Sequence, residues 1–554
     1  MPDQPSNSAQ PETAPPTSGP PSTIASATPP TATSAGSAQT TAPTLGDADA
    51  LPLRTSTDIQ GNILAGFRKD HQVFVFLGFP DNPTRAQGWL NDLLPSISAT
   101  REVAAFNARF SAARHLNGGD DPENLQSNWV NVALTAGGLR RLGSPQVLAD
   151  VNGTVAQEFP SFVAGAAEQA VNMGDVAPDS DPSRWLVGAP GQPAVDAILT
   201  VAADDRDDLL VQMEKLRALA SKHGLVTIFE QRGNTLPGER AGHEHFGFKD
   251  GISQPGVRGF DKPGASNSNL TVQGRSDEVE GSTGTKLVAA SQFVLGTPDE
   301  TGMVAKNFPS WMNNGSFQVW RRLTQDVPGF WSQVTSQLQA QNPSLPPTDP
   351  ATEDQLAAKL MGRWRSGTPV DAAPNADDRS SRDPQDDNDF NFGGRDAEGN
   401  PVALSTSPST DIQGMRCPVD AHIRKMNPRN GGEASRRIMR RGIPFGLPFD
   451  PAAGRGQGVD ADRGLLFVAF MASIETQYEF LQSMWANQPF PAGGHDPIIG
   501  LPDVTHPTHT HTLLRNGLPE ISLTLQRFVQ TTGAIYAFAP SLTTLKALAT
   551  GTLL

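Results

Sequence analysis

Short apolar runs of strand length recur along this chain, separated by segments of helical length, and this alternation limits the fold more than any other feature. Gln72–Leu77, Asn128–Leu134, Ala197–Ala202 and Leu225–Phe229 read as strands in the first half. Ser291–Leu295, Phe317–Leu323, Gly464–Phe470 and Ala534–Phe538 read as strands in the second. Residues 84–94 place Trp89, Leu90, Leu93 and Leu94 on one helical side, and Pro95 ends the run. Residues 205–222 carry a stripe of Leu209, Met213, Leu216 and Leu219, with Gly224 where a C-terminal cap belongs. Helices are also expected at 351–362 and 474–486, and residues 366–410 read as a long loop. Each half closes on strand, helix, strand. The spacing predicts an α+β fold in two similar domains, residues 55–290 and 291–554, and 554 residues exceed what one core usually accommodates.

Residues 1–54 are rich in Pro, Ser, Thr and Ala without apolar periodicity, and are expected to be a disordered tail. They have no basic start, no apolar stretch of signal type and no twin-arginine pair, the first arginine being Arg54. A cytoplasmic location is expected. The 43 basic and 58 acidic residues give a net charge of −15, which excludes the basic footprint of a general nucleic-acid binder. No apolar run is long enough for a membrane-spanning helix. With the single cysteine Cys417, neither an internal disulfide nor a cysteine metal cluster can form. Assembly of several copies is left open.

Three stretches could carry chemistry. In His243–Pro255, Asp250 stands between Gly247 and Gly251, beside Phe246 and Phe248. Glycines allow a tight turn and close approach, and a carboxylate near apolar surface is a candidate proton carrier; the plainer reading is an Asp-Gly turn. In Cys417–Arg429, His422 could ligate iron if its second ring nitrogen met a fixed acceptor. Arg424, Lys425 and Arg429 follow it and offer cations to an anionic ligand. Ser435–Gly446 holds Arg436, Arg437, Arg440 and Arg441, a density that in an acidic chain calls for an anionic partner. Other patterns stay with their plainer readings. His506, His509 and His511 read as an exposed loop without acidic partners, and Asp386–Asp389 as a solvated turn. Gly454–Gly458 is not preceded by the strand a dinucleotide site needs.

Taken together and in order, several segments resemble the dye-decolourising haem peroxidases, in particular their larger bacterial and fungal branch. They are Asp58–Leu64, Gly247–Gly251, Asn314–Phe317, Gly362–Gly367, Asn388–Phe390, His422–Lys425, Arg440–Gly442 and Asp496–Gly500, spanning about residues 55–545. The resemblance implies two ferredoxin-like domains with antiparallel sheets and one haem b per chain, held in the second domain. It implies His422 as the iron ligand, Asp496 as acceptor for its other nitrogen, Asp250 as the distal acid–base residue and Arg440 as the distal arginine. Arg429 would meet a haem propionate, and Gly251 would let the backbone pass close over the porphyrin. The implied partners are hydrogen peroxide and aromatic reductants such as dyes and phenols, oxidised through an oxo-ferryl porphyrin-radical intermediate. In some relatives a tyrosine occupies the place of Phe445, and Trp320, Trp364, Trp485 and Tyr478 remain as other aromatic relays, each equally readable as core. The competing reading is a haem-binding or haem-handling protein without turnover. The presence of both Asp250 and Arg440 argues against it, since storage needs neither.

Overall fold

The computed structural model describes residues 51–264, 278–341, 352–380, 383–392, 411–429, 434–450, 462–489, 493–501, 508–514 and 520–552, except 123 and 412. The expected tail up to residue 50 and the Gly454–Gly458 stretch therefore lie outside the described residues. Residues 51–54, assigned above to the tail, are packed: the Leu53 N–H donates to Gly259 O, and Arg54 lies over the Phe260 ring.

The first half runs β1 (His71–Gly78), α1 (Pro83–Leu93), β2 (Asn128–Leu134), β3 (Ala197–Ala203), α2 (Arg206–Lys222) and β4 (Val226–Asn234). The second runs β5 (Ser316–Gln325), α3 (Val327–Gln341), α4 (Glu353–Met361), α5 (His422–Met426), β6 (Met439–Arg440), β7 (Ile443–Phe445), β8 (Gly464–Met471) and β9 (Val529–Ala539). These nine strands form one sheet in the order β7–β8–β5–β9–β2–β3–β1–β4, with β6 on β8. In each half the first long strand sits inside, flanked by the third and fourth, with the second beyond the third. All these ladders are antiparallel. That is the ferredoxin-like order, present twice. The two sets meet where β9 pairs with β2 at Phe538 and Leu134. The sheet also curls back on itself, because a Cβ on Gly233 of β4 would stand 2.4 Å from Ile443 of β7. Residues 48–554 form one compact unit.

Alternation along the strands explains the two cores. On β1, Val73, Val75 and Leu77 face a helix-covered core with Trp89, Leu90 and Leu216, whereas Phe74 and Phe76 face the interior of the curled sheet. There they meet Trp320, whose ring centroid is 4.7 Å from that of Phe76, edge-on. Removing such a side chain costs about 3–5 kcal/mol. Among the described residues no helix is long and apolar enough to cross a membrane.

Several elements differ from expectation. Ser291–Leu295 is not a strand: Ala290–Gln292 is a tight 3-10 turn, and the Phe293 and Val294 N–H groups both return to Ala290 O. Its apolar residues are buried, but by a bend rather than a ladder. α3 has no counterpart in the sequence reading. Pro328 sits in the first helical turn, where its missing N–H costs nothing, and Asp326 Oδ1 accepts from Gly329 N at 2.9 Å. The expected helix at 474–486 is two π-helical segments, Ile474–Glu479 and Leu481–Ala486. A hairpin of His509–Leu513 with Ile521–Leu525 replaces the expected exposed histidine loop, although residues 502–507 are outside the described set.

Candidate active site

One cavity of about 300 Å³ opens between the two halves' loops. Its lining includes Asp250, His422, Arg429 and Arg440. The expected residues thus come together from positions up to 190 apart in sequence.

His422 opens α5, a helix of only five residues that needs outside support. Arg424 supplies it, donating to Cys417 O at 2.6 Å and to both the carbonyl and the carboxylate of Asp411. Lys425 donates to Gln488 O and Gly494 O. Both cations therefore point inward and brace α5, instead of meeting a ligand as expected. The His422 Nδ1–H donates to Asp496 Oδ2 at 2.8 Å, while Asp496 Oδ1 accepts from Ile498 N and Ile499 N at 2.8 and 3.0 Å. Asp496 is fully buried. Burial works to raise its pKa, but the imidazole beside it and the two N–H donors outweigh that and hold the carboxylate below its usual range. Burial likewise works against protonated His422, and Asp496 reverses it, raising the imidazole. The ring is thereby fixed with Nδ1 committed and Nε2 left for the cavity.

Asp250, which lines the same cavity, sits at the end of a tight loop. The Asp250 N–H returns to Gly242 O at 2.9 Å, and Gly247 and Gly251 have φ of +100° and +80°. These left-handed values favour glycine. A Cβ on Gly251 would meet nothing within 4 Å, so backbone conformation, not crowding within the chain, is what this glycine answers to. Phe246 and Phe248 are buried against α3 and α4, with Phe246 and Phe330 ring centroids 4.7 Å apart. Arg440 Nη1 donates to Asp250 Oδ1 at 2.7 Å, and Gly251 N donates to the same oxygen at 2.6 Å. Among the described residues both donors use Oδ1, so the lone pairs of Oδ2 remain for a substrate. The Asp250 side chain is 37% exposed to the cavity. Burial raises its pKa, yet Arg440 and the Gly251 N–H more than compensate, leaving it below the ordinary carboxylate range.

Arg429 has φ +55° and spends its guanidinium on Asn388 O, Phe390 O and the Asn388 side chain, lying 3.8 Å over the Phe390 ring. It anchors the 388–390 segment at the cavity rim. The four arginines of 436–441 do not form one patch. Arg436, Arg437 and Arg440 line the cavity, while Arg441 turns away toward residues 62–64. Asp387 is buried and paired with Arg379, so the expected solvated acidic turn is a structural ion pair. His511 is fully buried, with Nδ1 2.6 Å from Asp420 Oδ2, which corrects the expectation that no acidic partner lies near. Phe445, Trp320, Trp364, Trp485 and Tyr478 are all buried, and of these Trp485 and Tyr478 line the cavity.

Sequence reasoning missed Glu244. Its carboxylate accepts from Phe246 N, Phe248 N and Gln325 Nε2, bracing the Asp250 loop from inside and tying it to β5. Burial first, and the Asp250 charge in addition, push it up to about 7. The signal was its place within the glycine-bounded loop.

An imidazole with a buried carboxylate behind it, sharing one cavity with a carboxylate–arginine pair in a chain of two ferredoxin-like halves, points to the haem-peroxidase class. Comparison with known proteins narrows this. Residues 58–237 match the DyP dimeric alpha+beta barrel domain, and residues 359–499 the C-terminal Dyp-type peroxidase domain. The chain is 30% identical over 454 residues to a dye-decolorizing peroxidase of Mycena epipterygia, covering 80% of this chain and 74% of that one. It is also 30% identical to dye-decolorizing peroxidase msp1 of Mycetinis scorodonius, with 88% and 86% covered. Among solved structures it is similar to an ancestral D-type dye decolorizing peroxidase (TM-score 0.70, 31% identity, 89% of this chain and 98% of that one). It is similar too to a dye-decolorizing peroxidase in complex with 2,6-dimethoxyphenol (TM-score 0.66, 29% identity, 90% and 99%). The chain belongs to the dye-decolourising peroxidase family and is a haem-dependent peroxidase.

Proposed function

We propose that the chain binds one haem b, with His422 Nε2 as the iron ligand, and uses hydrogen peroxide to oxidise dyes and phenols. The supporting observation is that His422, its Nδ1 held by the buried Asp496, and the Asp250–Arg440 pair all line one cavity. The donor set suits the group. The imidazole has one nitrogen committed to a buried carboxylate, the usual outer-shell device for a metal-bound histidine. The rim carries Arg429, Arg436 and Arg437, whose positive charge suits propionates. In this reading residues 55–290 supply the acid–base loop and residues 291–554 the cofactor site. A relative of this chain has been solved with a phenol, which supports an aromatic reductant here.

When bound, haem supplies an iron centre that accepts two oxidising equivalents from peroxide and passes them on singly to the reductant. The chain's own task is the proton. Asp250 Oδ2 would take a proton from one peroxide oxygen and return it to the other, so that the second oxygen could leave as water. Arg440 stabilises the negative charge that grows on the departing oxygen, and it keeps Asp250 ionised at acid pH so that it can act as base. Asp496 holds the imidazole electron-rich by keeping its charge against Nδ1–H. A visible spectrum of the purified protein, before and after one equivalent of peroxide, tests the reading. A Soret band that changes on addition is expected. No Soret band, or one that peroxide leaves untouched, would overturn it.

A further inference from the structure

The segment Asp58–Leu64 resembles its family counterparts yet has no part in the site just described. It ends in a short turn, Gly61–Leu64, whose last carbonyls have no helix beyond them to donate back. Arg441 fills that role from 377 or more residues away. Its Nε donates to Asn62 O at 2.8 Å, and its Nη2 donates to Leu64 O at 2.7 Å and Ile63 O at 3.1 Å. Gly66, at φ +71°, makes room: a Cβ there would stand 2.9 Å from the guanidinium carbon. Burial pushes this guanidinium down to about 9, and among the described residues its hydrogen-bond partners are all carbonyls.

The remaining donor is the informative one. Arg441 Nη1 donates to the carbonyl of Arg440 at 3.1 Å, and Gln254 Nε2 donates to the same oxygen, also at 3.1 Å. Gln254 Oε1 then accepts from Arg440 N at 3.3 Å. The main chain of Arg440 is thus gripped from the Asp250 loop by Gln254 and from the 61–66 turn by Arg441. Arg441 directly follows β6, its N–H donates to Val468 O of β8, and its side chain turns away from the cavity that Arg440 lines, so an anchor at 441 bears on the direction of 440. Arg440 itself has few holds: its side chain donates to Asp250 Oδ1 at 2.7 Å and to Ser253 O at 3.4 Å.

We propose that Arg441, seated in the carbonyls of residues 62–64, is the positioning residue that sets where Arg440 stands against Asp250. This rests on the reading of Asp250 and Arg440 as the pair that handles the peroxide proton. A catalytic group must be held within fractions of an ångström, and a misplacement of about 1 Å costs on the order of a hundredfold. Lysine at 441 would keep the charge, but one ammonium cannot span the carbonyls of 62, 64 and 440 together.

The test compares haem-loaded R441A and R441K with R440A, and uses two readouts. The first is the rate of the peroxide reaction in stopped flow. The second is the titration of the Asp250 carboxylate in the resting protein, read as an infrared band absent from D250N. The charges facing Asp250 are Arg440 on β6, His422 across the cavity and Glu244 on its own loop. Loosening Arg440 removes the main depressing influence, so the titration should rise toward the ordinary aspartate value of about 4. R441A is expected to slow the peroxide step about ten- to a hundredfold and to move the Asp250 titration upward, with R441K between it and wild type in both. If R441A fails to hold its Soret band, R441K decides by the same readouts. Wild-type behaviour of the 441 variants beside an impaired R440A overturns the clamp alone. An R440A protein that itself reacts normally overturns the reading of the pair, and the clamp with it. A purely structural Arg441 would lower haem content or melting temperature without moving the Asp250 titration.

Discussion

The two carboxylates of the site, Asp496 behind His422 and Asp250 beside Arg440, are handled in opposite ways. Asp496 is fully buried and each oxygen is committed, one to His422 and the other to two backbone N–H groups. Asp250 is over a third exposed to the cavity, and its donors crowd onto one oxygen and leave the other open. Both are held below the ordinary carboxylate range, the first by an imidazole and the second by a guanidinium. The difference lies in what each can still do. A charge that polarises a metal ligand must not move, so it is sealed. A charge that carries a proton needs one free edge, so it is only half covered. The sealed pair comes from within one half of the chain, 74 residues apart, while the open pair joins the two halves across 190.

The contrast can be broken most severely at His422. H422A should yield protein without a haem Soret band, and a band of normal intensity that still responds to peroxide would mean the iron is held elsewhere. D250N comes next. It keeps the shape of the open edge but removes its basicity, so haem should remain while stopped flow shows the peroxide step slowed by about 10²–10⁴. An unchanged rate there would remove Asp250 from the reaction. On the sealed side, D496N should keep haem but raise its midpoint potential and cost about ten- to a hundredfold in activity. An effect on the potential no larger than that of D250N would erase the proposed distinction between the two faces.

The smallest effects are in pH. For Asp250 the folded pKa is depressed, so its contribution to stability is complete above the ordinary carboxylate range and fades as pH falls through the lower folded value. Glu244 has the opposite sign. Its folded pKa is raised to about 7, so its contribution is complete below the ordinary glutamate range and is lost as pH rises to about 7. Melting temperature followed from pH 4 to pH 8 (roughly the interval between the two states' titrations) should therefore decline less steeply in E244Q than in wild type. Parallel curves would show that Glu244 does not titrate in that interval.

Much of this site could be read in the sequence because its decisive signals are local. Gly247 and Gly251 around Asp250 mark a left-handed turn, and the structure has positive φ at both. The strands of β1, β2, β3, β8 and β9 were visible because each alternates between two apolar environments and lies within a contiguous run. What escaped depends on distance or disguise. Nothing near His422 points to Asp496, which came only from the resemblance. Arg441 reads as a neighbour of Arg440 until the structure shows Arg440 lining the cavity and Arg441 donating to the carbonyls of residues 62–64. His509–Leu513 looks polar because it alternates His and Thr, yet it is a strand that buries His511 on Asp420. The start of α3 escaped because the bond from Gly329 N to Asp326 Oδ1 that marks it is only geometric. Ser291–Leu295 has strand composition, but the N–H groups of Phe293 and Val294 turn back to Ala290 O, so it is buried by its bend.

The seam at Phe538 and Leu134 bears on how such a site tolerates change. The loop that carries Asp250 follows the first set of strands, while Arg440 and His422 belong to the second, so the spacing between them is set in part by how the two sets join. Side chains facing the gap can vary in size without altering that spacing. A slip of one residue at the seam would translate one wall along the other by about 3.3 Å and turn its strand faces over. The seam therefore works as a caliper. The pocket is free to diversify toward different reductants only while this backbone joint keeps its setting.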